Sequence, residues 1–269
     1  MTEPNSAPAA TIGVFDAGIG GLPLASIVRR RAPQHSLVYL GDAARRPYGP
    51  RPAAEITDYV AEAEQFFAEA GCDVWAVACN TASVILEGQT ARLIPRVDML
   101  MANQVAALAA PEGTIGVVAT AGTVASGAVS RAIPGRDVRE LATEELLRLA
   151  EIDGGDDPVV LRALIDDAVA TLCGWNCTSM MLSCTDFTCV LEPIVAAADG
   201  LAVIDPLHAA ADLVLETAAG IAATPRPAHG DRLCLTGTHE VDIRQVARDT
   251  YGLDLPPVDY VQLPTLRAN

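Results

Sequence analysis

Residues 74–83 read VWAVACNTAS, an apolar run from Val74 to Val77 that passes through Ala78 to a thiol, Cys79, and then to Asn80 and Thr81. A short continuous apolar run that meets small polar residues predicts a buried strand ending where a helix or tight loop opens. Residues 178–186, TSMMLSCTD, repeat the pattern in the second half: a strand over Thr178 to Leu182, then Cys184, Thr185 and Asp186. Each half of the chain therefore ends one buried strand on a cysteine.

Outward from these two segments, strand and helix alternate. Further strands are expected at Thr11–Phe15, Ser36–Leu40, Thr114–Ala119, Leu201–Ile204 and Leu233–Thr236. Helices are expected at Leu22–Arg31, Ala53–Ala70, Thr81–Leu93, Thr123–Ala132, Thr143–Glu151, Pro158–Leu172, Leu207–Ala222 and Val241–Tyr251. Such alternation predicts an α/β fold of two similar lobes, each a mostly parallel sheet flanked by helices, with the active site between them. The expected division gives residues 11–101 plus 212–269 to the Cys79 lobe and 102–211 to the Cys184 lobe. Residues 1–10 are expected to form a mobile tail.

The 269 residues are 51% hydrophobic, enough for sizeable cores, and the formal net charge is −16. That charge argues against nucleic acid or an anionic membrane surface as a partner. All eighteen basic residues are arginine. Without lysine, neither a pyridoxal-phosphate Schiff base nor a Walker-type phosphate loop can be built. The seven cysteines lie mostly in apolar surroundings, which suits a reducing compartment. No run approaches the ~20 apolar residues needed to span a bilayer, and Met1 to Ala10 lack the pattern of a signal peptide. A cytoplasmic protein is expected.

Two thiols at equivalent strand ends could face one substrate from opposite sides, an arrangement suited to removing a proton from carbon and returning one to the other face. An ordinary thiol, with a pKa of about 8.5, is only a few per cent ionised at neutral pH, a gap of about 2 kcal/mol. A helix start offers roughly 0.3 to 1 kcal/mol, and neighbouring donors such as Asn80 and Thr81 must supply the rest. Asp16 ends the first strand and opens the turn Asp16-Ala17-Gly18-Ile19-Gly20-Gly21, whose glycines allow close backbone approach to a ligand. Their spacing misses the dinucleotide pattern, so a substrate carboxylate or ammonium is the expected guest. Tyr48 and Gly49, in the turn RRPYGP, are expected in the same cleft, whereas Arg45 and Arg46 are assigned to the surface. Cys173, Cys177, Cys184 and Cys189, with three, six and four residues between them, match no zinc spacing, and no metal is expected.

Five ordered segments together, GVFDAGIGG (13–21), YLGDAARRPYGP (39–50), ACNTAS (78–83), LSCTD (182–186) and LTG (235–237), resemble the aspartate/glutamate racemase superfamily, closest to its glutamate racemases. The resemblance spans almost the whole chain. It implies two α/β lobes, no cofactor, and a thiol pair that interconverts L- and D-glutamate, with a role in cell-wall precursor supply. It makes Cys79 and Cys184 the acid/base pair, aided by Asp16 and Asp186. Ala17, Tyr48, Gly49, Asn80, Thr81, Thr123 and Thr185 become the substrate contacts. The partner is then a small amino acid or related carboxylate, and a homodimer is one assembly to expect. Two positions depart from the pattern: Ala17 stands where a serine is usual, and Asp186 where a histidine is usual. A carboxylate there raises the neighbouring thiol's pKa, repels an anionic side chain and offers a local base. Alternatives in the same fold are the aspartate, hydantoin or maleate type of reaction, and a diverged ligand-binding protein.

Overall fold

A computed structural model of the chain describes residues 9–153, 157–198, 200–221 and 230–264. Among these the strands are β1 (Thr11–Asp16), β2 (Ser36–Gly41), β3 (Val74–Val77), β4 (Arg96–Asp98), β5 (Thr114–Ala119), β6 (Val138–Ala142), β7 (Cys177–Leu182), β8 (Ala202–Ile204), β9 (Arg232–Leu235) and β10 (Val258–Tyr260). The helices are α1 (Leu22–Arg31), α2 (Ala53–Glu69), α3 (Asn80–Ile85), α4 (Met99–Leu108), α5 (Ala121–Ser126), α6 (Ala128–Ala132), α7 (Glu144–Asp153), α8 (Pro158–Gly174), α9 (Leu191–Ala197), α10 (Leu207–Gly220) and α11 (Ile243–Tyr251), with a 3-10 turn at Thr185–Val190.

Two sheets form, ordered β10-β9-β2-β1-β3-β4 and β6-β5-β7-β8, and every pairing in both is parallel. The central strands are covered on both faces, which is why they read as unbroken apolar runs. In β1, Ile12 and Val14 join the core with Leu24 and Val28 of α1 and Val214 of α10. Phe15 packs on the other face with Trp75 of β3 and with Ile56, Val60 and Phe67 of α2. Gly13 permits that second layer, because a Cβ there would meet the Phe67 ring at 2.6 Å.

The β7 side has its own core, where Met180 and Leu182 pack with Ile165 and Leu172 of α8 and Ile194 of α9. Helix α4 belongs to both halves: Met99 and Ala102 join the first core, while Leu100 and Ala107 pack with Ile115 and Val117 of β5. The expected cut after residue 101 therefore falls inside α4. The cut at 211/212 falls inside α10, whose buried Leu207, Ala210, Ala211, Val214 and Ala218 all join the first core. Residues 1–8 of the expected tail lie outside the described residues, whereas Ala10 is buried and its N–H donates to His35 Nδ1 at 2.9 Å.

Several elements depart from expectation. The helix expected over 81–93 stops at Ile85, and Glu64 instead holds the later loop by accepting from the N–H groups of Arg92 at 2.7 Å and Leu93 at 3.0 Å. The helix expected over 123–132 is split into α5 and α6 by Gly127, whose φ of 61° no continuous helix allows. Strands β4, β6 and β10, and helices α4 and α9, are additional. Among the described residues, no helix is long and apolar enough to cross a membrane.

Candidate active site

The carboxyl ends of the central strands meet at one cleft of about 290 Å³. Asp16 is the last residue of β1, Cys79 follows β3 and precedes α3, and Cys184 follows β7 and precedes the 3-10 turn. Parallel α/β sheets place ligands in this way, at the crevice beyond their strand ends. Cys79, Cys184, Asp16, Asp186, Ala17, Tyr48, Gly49, Asn80, Thr81 and Thr185 all line the cleft.

Asp16 joins the two sides. Its Oδ1 accepts from the Gly18 N–H at 2.7 Å, shaping the glycine turn, and its Oδ2 accepts from the Thr185 hydroxyl at 3.2 Å. Gly20 allows the approach, since a Cβ there would lie 2.4 Å from Thr185 Oγ1 and 2.9 Å from Asp186 Oδ1. Behind the cleft, the Tyr48 hydroxyl donates to Asp42 Oδ2, which also accepts from Arg45 Nε at 2.7 Å, while Thr236 Oγ1 donates to Asp42 Oδ1 at 2.6 Å. Tyr48 thus offers the cleft its ring, and its hydroxyl is committed to a fully buried carboxylate.

Both thiols are held in their neutral form. Burial pushes Cys79 far above the ordinary thiol range, Asp16 and Asp186 push it the same way, and the N–H groups of Ala82 and Ala17 oppose them. For Cys184, which is half-buried on the cleft, desolvation again leads, with Asp186, Cys79 and Asp16 adding to it against the N–H of Asp186. The expected helix-start effect is present at Cys79 and is outweighed by burial and by two carboxylates. The Cys184 thiol donates to Asp186 Oδ2 at 3.4 Å, so the carboxylate that raises its pKa is also positioned to take its proton.

Asn80 brings an unused donor. It is buried, its Oδ1 accepts from Asn103 Nδ2 at 3.5 Å, and its own Nδ2 has no hydrogen-bond partner among the described residues. An orphaned donor on a cleft wall is a place for an acceptor on a ligand.

Thr123 corrects the expectation. It is fully buried and does not line the cleft; its N–H donates to Thr120 Oγ1 at 3.2 Å, and its own Oγ1 accepts from the Thr120 hydroxyl at 3.0 Å. Thr120 is the N-cap of α5, so it turns outward to line the cleft while the first-turn threonine packs behind it. Arg46, assigned to the surface from sequence, also lines the cleft, as do Glu144, Glu145 and Arg148 of α7 and His239. His239 follows β9 by four residues. Among the described residues, no group of three or more His, Cys, Asp or Glu is arranged to hold a metal.

Two parallel sheets, each ending a strand beside a thiol at one cleft, make up this α/β fold. A family model described as Asp/Glu/Hydantoin racemase matches residues 23–214, and the chain belongs to that family. It is 34% identical over 196 residues to a glutamate racemase of Shouchella clausii, covering 69% of each chain. The fold is similar to that of the glutamate racemase isoform RacE1 of Bacillus anthracis, with a TM-score of 0.85, 26% identity, and 96% of this chain and 100% of that one covered. It is likewise similar to a glutamate racemase of Thermus thermophilus in complex with β-chloro-D-alanine, with a TM-score of 0.77, 28% identity, and coverage of 97% and 100%.

Proposed function

We propose that this chain racemises an acidic amino acid, glutamate foremost, without a cofactor, using Cys79 and Cys184 as the two proton-transfer groups. The observation that carries the reading is that both thiols, one from each sheet, line a single cleft beside Asp16 and Asp186. In one direction Cys184 passes its thiol proton to Asp186, and the resulting thiolate takes the α-proton. The carbanion then receives a proton from the Cys79 thiol on the opposite face, leaving a Cys79 thiolate for the reverse reaction. Asn80 Nδ2 supplies a donor for the substrate's α-carboxylate, stabilising charge that spreads from the α-carbon. The substrate assignment draws on the names of the relatives.

Incubation with L- and D-glutamate in D2O, followed by proton NMR, tests the reading. Deuterium should enter the α-position as the enantiomer appears. Absence of α-exchange for glutamate, and for a panel that includes aspartate, would exclude racemisation.

A further inference from the structure

The 3-10 turn that follows Cys184 is bonded to the first half of the chain near both of its ends. At its start the Thr185 hydroxyl donates to Asp16 Oδ2 at 3.2 Å. Four residues on, Cys189 Sγ lies 3.3 Å from the hydroxyl of Tyr251, the last residue of α11, and the two form a hydrogen bond. Between these contacts the Thr188 hydroxyl donates to the Thr185 carbonyl at 2.6 Å, and Phe187 and Val190 are buried in the second core.

Tyr251 is itself fixed. Its carbonyl accepts from the Ser26 hydroxyl at 2.6 Å and from Arg30 Nη1 at 3.4 Å. Both donors belong to α1, which begins directly after the glycine turn that Asp16 opens. A bond at one point leaves a turn free to pivot about that point. A second bond four residues further, about 8 Å along a 3-10 axis, removes the pivot. The motion it suppresses would carry Cys184 and Asp186 relative to Cys79, which follows a strand of the first sheet. Proton transfer on opposite faces of one carbon tolerates little of this, since a misplacement on the order of 1 Å can cost about 100-fold in rate. Burial holds both the Tyr251 hydroxyl and the Cys189 thiol above their ordinary pKa values, so the bond keeps position and passes no proton near neutral pH.

We propose that Tyr251 is a positioning residue: through Cys189 it holds the turn that carries Thr185 and Asp186, and so sets Cys184 against Cys79 across the cleft. The proposal rests on the racemase reading for the reaction it serves. It extends that reading to a side chain outside the cleft lining.

Racemisation kinetics with L-glutamate and L-aspartate test it on the wild-type chain, Y251F, C189A, C189S and Y251F/C189A, with circular dichroism and urea midpoints to follow folding. Y251F and C189A should each lower kcat by about tenfold and leave KM within about twofold, because the substrate contacts remain while the registry of the thiols is lost. C189S, whose hydroxyl can still bond to Tyr251, should return close to the wild-type kcat. The double variant should be no slower than the slower single one, because both changes remove the same bond. Hydrogen exchange at the amides of residues 185–190 should quicken in Y251F and C189A and stay unchanged in C189S. The proposal is overturned if Y251F keeps the wild-type kcat, if the two substitutions multiply their effects, if KM rises as far as kcat falls, or if C189S is as slow as C189A, a comparison that holds even where Y251F weakens the fold. A wild type without α-exchange on either amino acid would overturn the racemase reading and this proposal together, whereas an active wild type beside an unimpaired Y251F overturns the proposal alone.

Discussion

The Cys184 thiol donates to Oδ2 of Asp186, two residues further along the chain, at 3.4 Å. One carboxylate therefore has two opposed effects on one sulfur. It keeps the proton on the thiol at rest, and it is the nearest base when that proton must leave.

Replacing Asp186 by Asn should separate these effects. The Cys184 pKa should fall, because Asp186 is among the groups that raise it, and alkylation by iodoacetamide near neutral pH should quicken. Racemisation should nevertheless slow by a factor on the order of 100, the usual contribution of a positioned base. An unchanged turnover rate would remove Asp186 from proton transfer.

Cys79→Ser and Cys184→Ser should each reduce racemisation by roughly 100- to 10,000-fold, since a hydroxyl holds its proton far more tightly than a thiol. Circular dichroism should remain native, as the change is nearly isosteric. Near-normal turnover in either variant would eliminate that sulfur from the mechanism.

Gly20→Ala should act on both halves of the site. The new methyl would lie 2.4 Å from Thr185 Oγ1 and 2.9 Å from Asp186 Oδ1, so the turn and the second-sheet loop must part. Overpacking of this kind costs about 1–3 kcal/mol, readable as a lower urea midpoint. Activity should fall with it, and a variant of wild-type stability and rate would show that the two loops yield freely.

Stability should decline as the medium becomes alkaline. Burial raises Cys72 to about 12 and Cys234 to about 11, and lifts Cys79 and Cys184 as well. These groups stay neutral in the fold while their unfolded counterparts ionise at pH ~8.5. Their contribution is complete below the unfolded pKa and is lost as pH rises through the folded values. Urea midpoints should fall between roughly pH 9 and 12, and a midpoint constant over that range would contradict the burial of these thiols.

The parts of the fold that can be read from the sequence are those whose burial leaves a mark on it. Strands β1, β3, β5 and β7 are covered on both faces and appear as apolar runs. Strand β6, at an edge of the second sheet, carries Arg139 and Glu140 and shows no such run. Strands β4 and β10 are three residues each and also lie at an edge. In the cleft, cysteines placed directly after apolar runs are conspicuous. Arg45 and Arg46 are locally indistinguishable; buried Asp42 pairs with the first, while the second lines the cleft. The α7 residues reach the site only through tertiary packing, which no local pattern records. Thr123 and Thr120 exchange places because a cap and a first-turn residue look alike until the helix start is known.

Asp16 receives the Gly18 N–H on one oxygen and the Thr185 hydroxyl on the other. The two halves of the chain are consequently not interchangeable parts. A chimera that took its second sheet from a relative would have to import a hydroxyl at position 185, or Asp16 would lose its hold on that side. Drift in either half is thus answerable to a single carboxylate in the first.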